Sequence, residues 1–108
     1  MNAILTGKIA LVTGGNSGIG RAAAHAFAAT GATVVVAARR QREGEAVVAE
    51  IAAAGGQAEF VQSDVSRATE VEALTTSIVA RYGRLDCAFN NAGVYRGGPV
   101  HEFSEEDW

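Results

Sequence analysis

Residues 8–20 read Lys8-Ile9-Ala10-Leu11-Val12-Thr13-Gly14-Gly15-Asn16-Ser17-Gly18-Ile19-Gly20. A short apolar run closes in glycines, and a helical pattern follows at once, with Ile19, Ala22, Ala23, Ala26 and Phe27 recurring at i, i+3 and i+4. The order strand, glycine turn, helix decides the fold. Such a turn needs glycine where φ is positive or where backbone must approach a ligand closely. A helix that starts there aims unpaired N–H groups and its positive dipole end at the turn, which suits a pyrophosphate. The alternative is a turn that only packs helix on strand. The spacing is G-x-x-x-G-x-G, not the commoner G-x-G-x-x-G, and no G-K-[ST] follows, which argues against a nucleoside-triphosphate P-loop.

The same unit repeats along the chain. Apolar runs at Lys8–Thr13, Thr33–Ala38, Ala58–Gln62 and Leu85–Asn90 start at 8, 33, 58 and 85, so 25, 25 and 27 residues separate them. Each interval holds one helix and two short connections. The second run carries three consecutive valines, as a strand buried on both faces does. The second helix spans about Gln41 to Ala54 with Val47 and Ile51 inward, before Gly55-Gly56. The third places Val71, Leu74, Ile78 and Tyr82 on one face and stops at Gly83, with Ser66 as its expected N-cap. Gly31 closes the first helix, and Ser104-Glu105-Glu106-Asp107 has the form of a capping box opening a fourth. Parallel strands alternating with helices imply an α/β domain with right-handed crossovers.

Composition removes several classes of function. The 108 residues include 13 Gly and 22 Ala, with 48% hydrophobic and 19% charged residues, a globular profile with many small side chains for close packing. Net charge is -3 without a basic run, which argues against a nucleic-acid or anionic-membrane surface. One cysteine excludes an internal disulfide and a metal site of several thiolates. No apolar run reaches the ~20 residues of a bilayer span. The opening MNAILTGKIA lacks a cationic segment with a long apolar core, so a cytoplasmic protein is expected. His25 falls between the inward positions of its helix and reads as a surface residue. Cys87, alternating with Phe89, reads as core packing. His101, Tyr95 and Arg96 read as loop residues.

Thr13-Gly14-x-x-x-Gly18-Ile19-Gly20 after the first strand and Asn90-Asn91-Ala92-Gly93 after the fourth together resemble the short-chain dehydrogenase/reductase family, over the whole chain. The resemblance implies a three-layer Rossmann-type doubly wound parallel sheet, in order 3-2-1-4 and truncated after the fourth strand. The first two helices then cover one face and the third the other. It implies a pyrophosphate and ribose cradle from Gly14, Asn16, Ser17, Gly18, Ile19 and Gly20. Asp64 would accept from the adenine amino group, Val65 would flank the ring, and Asn91 would contact the cofactor. Where NAD-dependent relatives carry an acid after the second strand this chain has Ala38, and Arg39 follows, suited to grip a 2′-phosphate. The implied cofactor is NADP, with NAD possible, although Ser17 stands where some NADP-dependent relatives carry a basic residue.

The family's Tyr-x-x-x-Lys pair is absent: the one lysine is Lys8, and Tyr82 and Tyr95 are followed four residues later by Asp86 and Pro99. No catalytic residue and no metal ligand is therefore assigned. The chain reads as the N-terminal part, 1–108, of a single NAD(P)-binding domain whose parent transfers hydride between nicotinamide and a small alcohol or carbonyl substrate. A homo-oligomeric parent is expected. A non-catalytic nucleotide-binding or interaction module is the other reading. A further expectation is that the outer edge of the fourth strand lacks a partner and that side chains of the first and fourth strands are uncovered on the face of the third helix. Residues 1–108 alone would then be poorly soluble or partly molten.

Overall fold

The computed structural model describes residues 5–14, 18–64, 67–90 and 101–103. Among these residues, five strands and three helices follow in the order β1 (Ile9–Thr13), α1 (Gly18–Ala29), β2 (Thr33–Ala38), α2 (Gln41–Ala53), β3 (Gln57–Gln62), α3 (Ala68–Tyr82), β4 (Cys87–Asn90) and β5 (His101–Phe103). The sheet is parallel throughout, in order β3-β2-β1-β4-β5. The expected order 3-2-1-4 is therefore present.

Burial explains which strands sit inside. Val34, Val35 and Val36 are all fully buried, as are Ala10, Leu11 and Val12 of β1. An edge strand cannot cover consecutive side chains from both sides. Each such aliphatic side chain left in water would forgo ~1.5–3 kcal/mol, so β1 and β2 belong in the interior. On one face Val12, Val34, Val36 and Phe89 pack with Ala23 and Ala24 of α1 and Val47 and Ile51 of α2. On the other, Ile9, Leu11, Val35, Ala37 and Ala88 pack with Val71, Leu74 and Ile78 of α3. The first two helices thus share one face and the third takes the other. This is the doubly wound arrangement of a Rossmann-type fold.

Four expectations need correction. The sheet does not end at β4, because β5 pairs along it with register Cys87↔His101, Ala88↔Glu102 and Phe89↔Phe103. Three residues are too few for a detectable hydrophobic alternation, and β5 begins far sooner than the 25-to-27-residue period allows, so His101 read as loop. The α3 face does not strip β1 and β4 of cover, since Ile9, Leu11, Leu85 and Ala88 are buried there. The inward side of α1 is Gly20, Ala23 and Ala24, while Ile19 is 48% exposed and Ala22 and Ala26 are also exposed. A glycine at the contact lets the helix lie close on the sheet, and six alanines in the helix give little contrast by which to choose a face. Finally, α3 starts one residue later than expected, with Arg67 at the N-cap position and no side-chain cap bond. Ser66 and the helix expected from Ser104 lie outside the described residues.

At the amino-terminal edge of the sheet a side chain extends the ladder. The Asp86 N–H donates to the Ile9 carbonyl at 2.9 Å, and the Ile9 N–H donates to Asp86 Oδ2 at 2.8 Å. Arg84 donates to the same carboxylate through Nε and Nη2, at 2.7–3.0 Å. Arg84 first, and the Ile9 N–H with it, hold the Asp86 carboxyl below its ordinary value of 3.8, against the opposing effect of burial. A carboxylate depressed on folding adds stability above its unfolded pKa and loses that contribution as pH falls through the folded one. Asp86→Ala should therefore lower unfolding free energy by ~1–3 kcal/mol at pH 7, leaving the Ile9 N–H without its acceptor. The gap between variant and wild type should close as pH falls below the ordinary carboxylate range. Urea unfolding at neutral and acid pH checks both, and a gap that widens in acid contradicts them.

Candidate dinucleotide site

The chain builds β1, β2 and β3 in one direction and then returns to the other side of β1 to lay down β4. β1 is therefore followed by a helix on one face of the sheet, α1, whereas β4 is reached through a helix on the other, α3. Open α/β sheets bind ligands in the crevice made at such a switch point. Thr13 and Gly14 stand there. The Thr13 hydroxyl donates to the Phe89 carbonyl at 3.3 Å, tying β1 to β4 across the crevice. Gly14 has φ 68°, in the left-handed region, and its N–H donates to the Ala37 carbonyl of β2 at 2.7 Å. A side chain at Gly14 would strain that turn.

The helix that follows meets the requirements for an anion. Its first turn, from Gly18, contains no acidic side chain to neutralise the dipole end. At Gly18 no heavy atom among the described residues lies within 4 Å of where a Cβ would be, and φ is ordinary. Packing against the described residues therefore does not require glycine at this position. Space kept beside a helix N-terminus is what a bound phosphate uses, and the residues present fit a dinucleotide. Gly20 is buried against the sheet and Ile19 is exposed at the start of α1. Asn16, Ser17, Val65 and Asn91, also expected at the site, lie outside the described residues, as do Tyr95 and Arg96.

The ends of β2 and β3 form a second part of the site. Ala38 is buried at the end of β2, and Arg39 is exposed immediately after it. Among the described residues the Arg39 side chain has no hydrogen-bond or ion-pair partner, whereas Arg40 pairs with Glu43 at 3.7 Å. Arg39, Gln62, Ser63, Asp64 and Glu70 line one open depression. Gln62 Nε2 donates to the Arg39 carbonyl at 3.0 Å, and the Ser63 N–H donates to the Ala38 carbonyl at 3.0 Å. The Asp64 carboxylate lies 3.6 Å from Arg67 Nε and stays 29% exposed. The sequence alone assigns no site role to Gln62, Ser63 or Glu70. The available signal was an acid at the third position of α3, where carboxylates commonly bond backbone N–H groups ahead of a helix.

The remaining candidates stand apart. His25 Nε2 and Arg21 share Glu50, at 2.9 Å and 2.6–2.9 Å, clamping α1 to α2. Bonds from Arg21, then His25, lower the Glu50 carboxyl below its usual range. Cys87 packs with Ala10 and Ala32, and burial pushes its thiol up. Burial and then Glu59 raise Tyr82, the reverse of what an acid–base tyrosine needs. Among the described residues no cluster of His, Cys, Asp or Glu could hold a metal ion, and no helix is long and apolar enough to cross a membrane.

A parallel sheet with a glycine turn at its switch point and an open depression beyond β2 is the architecture of a Rossmann-type α/β protein. The short chain dehydrogenase model matches residues 8–108, and the chain belongs to that family of oxidoreductases. It is 49% identical over 102 residues to a 3beta-hydroxysteroid dehydrogenase of Mediterraneibacter gnavus, covering 94% of this chain and 37% of that protein. It is 46% identical over 105 residues to a 3-oxoacyl-[acyl-carrier-protein] reductase of Synechocystis, covering 96% and 42%. Among solved structures, the citronellol catabolism dehydrogenase of Pseudomonas aeruginosa superposes with TM-score 0.80 at 36% identity, over 86% of this chain and 39% of that one. A metagenomic short-chain oxidoreductase in complex with NADP gives TM-score 0.78 at 44% identity, over 83% and 41%. The chain thus spans about two fifths of these relatives.

Gly18→Ala separates a packing role from a ligand role. Folding stability should hold, or rise by up to ~1 kcal/mol with the better helix former. Affinity for NADP+, measured by calorimetric titration, should fall at least about tenfold, or ~1.4 kcal/mol, because the methyl occupies phosphate space. Unchanged affinity would return the turn to mere packing.

Proposed function

We propose that this chain is the cofactor-binding part, residues 1–108, of a single NAD(P)-binding domain in an enzyme that moves hydride between a nicotinamide dinucleotide and a small alcohol or carbonyl substrate. The observation that carries the reading is the turn at the switch point, where Gly14 takes a positive φ and, among the described residues, nothing crowds Gly18 at the head of an acid-free helix turn. Gly14, Asn16, Ser17, Gly18, Ile19 and Gly20 hold the pyrophosphate and its riboses. Asp64 and Val65 take the adenine, and Asn91 contacts the cofactor. When bound, the nicotinamide supplies the hydride donor or acceptor, and this chain's residues bind and orient it. The acid–base work belongs to a Tyr-x-x-x-Lys pair, which these 108 residues do not contain. They should show no turnover of alcohols or carbonyls in a nicotinamide absorbance assay.

NADP(H) is the preferred cofactor. Ala38 offers no carboxylate to a 2′-OH or against a 2′-phosphate, and the Arg39 guanidinium is available at the rim of the depression. A relative of known structure holding NADP supports the same choice. A charge-assisted contact contributes ~1.5–3 kcal/mol, roughly ten- to a hundredfold in affinity. Ala38→Asp should move preference toward NAD(H), and Arg39→Ala should weaken NADP(H) while leaving NAD(H) nearly unchanged. Because Arg39 is exposed, the discrimination should shrink as salt rises. Fluorescence titration of both cofactors tests this, and an affinity ratio unmoved by either substitution would reduce Arg39 and Arg40 to a solvated helix start.

A further inference from the structure

We propose that Glu70 is a positioning residue for the adenosine end of the site: its carboxylate holds the turn between β3 and α3 so that Asp64 is set for adenine, equally for NAD(H) and NADP(H). The inference rests on the nucleotide reading above. Glu70 is the third residue of α3, from which a capping-box carboxylate ordinarily reaches back to the N-cap N–H. Here it reaches further. Oε1 accepts the Asp64 N–H at 2.8 Å and lies 3.4 Å from the Ser63 hydroxyl, which points its donor at the same oxygen. Arg67, at the N-cap position, makes no capping bond with its side chain. The Arg67 N–H bonds the Asp64 carbonyl at 3.1 Å, and Glu70 adds the side-chain anchor that holds the Asp64 N–H to the first turn of the helix.

The other end of the segment is fixed to the cofactor-selecting strand. Ser63 is buried and its N–H bonds the Ala38 carbonyl, while Gln62 bonds the Arg39 carbonyl. Residues 62–64 are thus held between the end of β2 and the first turn of α3. The bond from a main-chain N–H to a carboxylate is charge-assisted and partly buried, so it orders the turn more firmly than the looser, exposed Arg67–Asp64 pair. Sign separates this role from a direct one. Glu70 lines the same depression as Arg39, and a carboxylate touching a 2′-phosphate would oppose NADP(H) alone. Acting through the Asp64 backbone, it serves both cofactors.

The test is NMR titration of the 108-residue chain with 5′-AMP and with adenosine 2′,5′-bisphosphate, together with hydrogen exchange at the Asp64 amide without ligand. Glu70→Ala should expose that amide to exchange and weaken both probes by a similar factor, roughly tenfold. Glu70→Gln keeps an accepting oxygen and should restore both readouts, to within about threefold of wild type. Lost protection with unchanged affinities overturns the proposal, as does a change confined to the bisphosphate, tighter binding of it included. Wild-type chain that protects the Asp64 amide yet binds neither probe overturns the nucleotide reading itself.

Discussion

The structure depends on β1 being an interior strand covered on both faces. Its backbone groups can be satisfied only by β2 on one side and β4 on the other, and its side chains only by helices above and below. That demand forces the chain to reverse its direction of growth after β3. The reversal leaves a crevice at the carboxyl end of β1, and the residue leaving the strand there must turn sharply without a side chain. Gly14, bonded to the Ala37 carbonyl, makes that turn. The candidate site is thus a by-product of satisfying the central strand, and the sequence beyond it has only to supply suitable neighbours.

Charge is arranged differently at the two edges of the sheet. At the amino-terminal edge, Arg84, Asp86 and the Ile9 N–H are bonded to one another, an arrangement that stabilises the fold. At the carboxyl edge, Arg39 is left without a partner among the described residues beside Asp64 and Glu70. The clamp of Arg21 and His25 on Glu50 joins α1 to α2 on the outer surface. The ion pair that closes the amino-terminal edge and the cation proposed to meet the cofactor are thus different groups at opposite ends of the strands, so the effects of Asp86→Ala and Arg39→Ala can be measured apart.

Much of this was legible in the sequence, for physical reasons that differ by element. β2 was legible because three consecutive valines fit only a strand buried on both sides, and α3 because Val71, Leu74 and Ile78 contrast with the polar residues between them. Each of the three helices does end near its glycine, with Gly83 at φ 80° taking the Val79 carbonyl. The face of α1 was misread because alanine carries almost no amphipathic contrast, and the buried Gly20 decided the rotation. β5 was invisible because pairing, not side-chain pattern, defines His101–Phe103 as a strand. At the site, glycine spacing and the Ala38-Arg39 pair were legible because they are local in sequence. The roles of Gln62, Ser63 and Glu70 were not, since they arise only when the end of β3 is brought beside β2 and α3.

The central claim is that a nicotinamide dinucleotide lies across the carboxyl ends of β1, β2 and β3. The most direct measurement is the backbone amide spectrum of the isotopically labelled chain as NADP+ is added. The account predicts shifts concentrated at Gly14, Gly18–Gly20, Arg39 and Asp64, with Asp86, Ala32 and Gly56 at the opposite edge unmoved. Shifts gathered at that opposite edge, or none at millimolar cofactor, would contradict it.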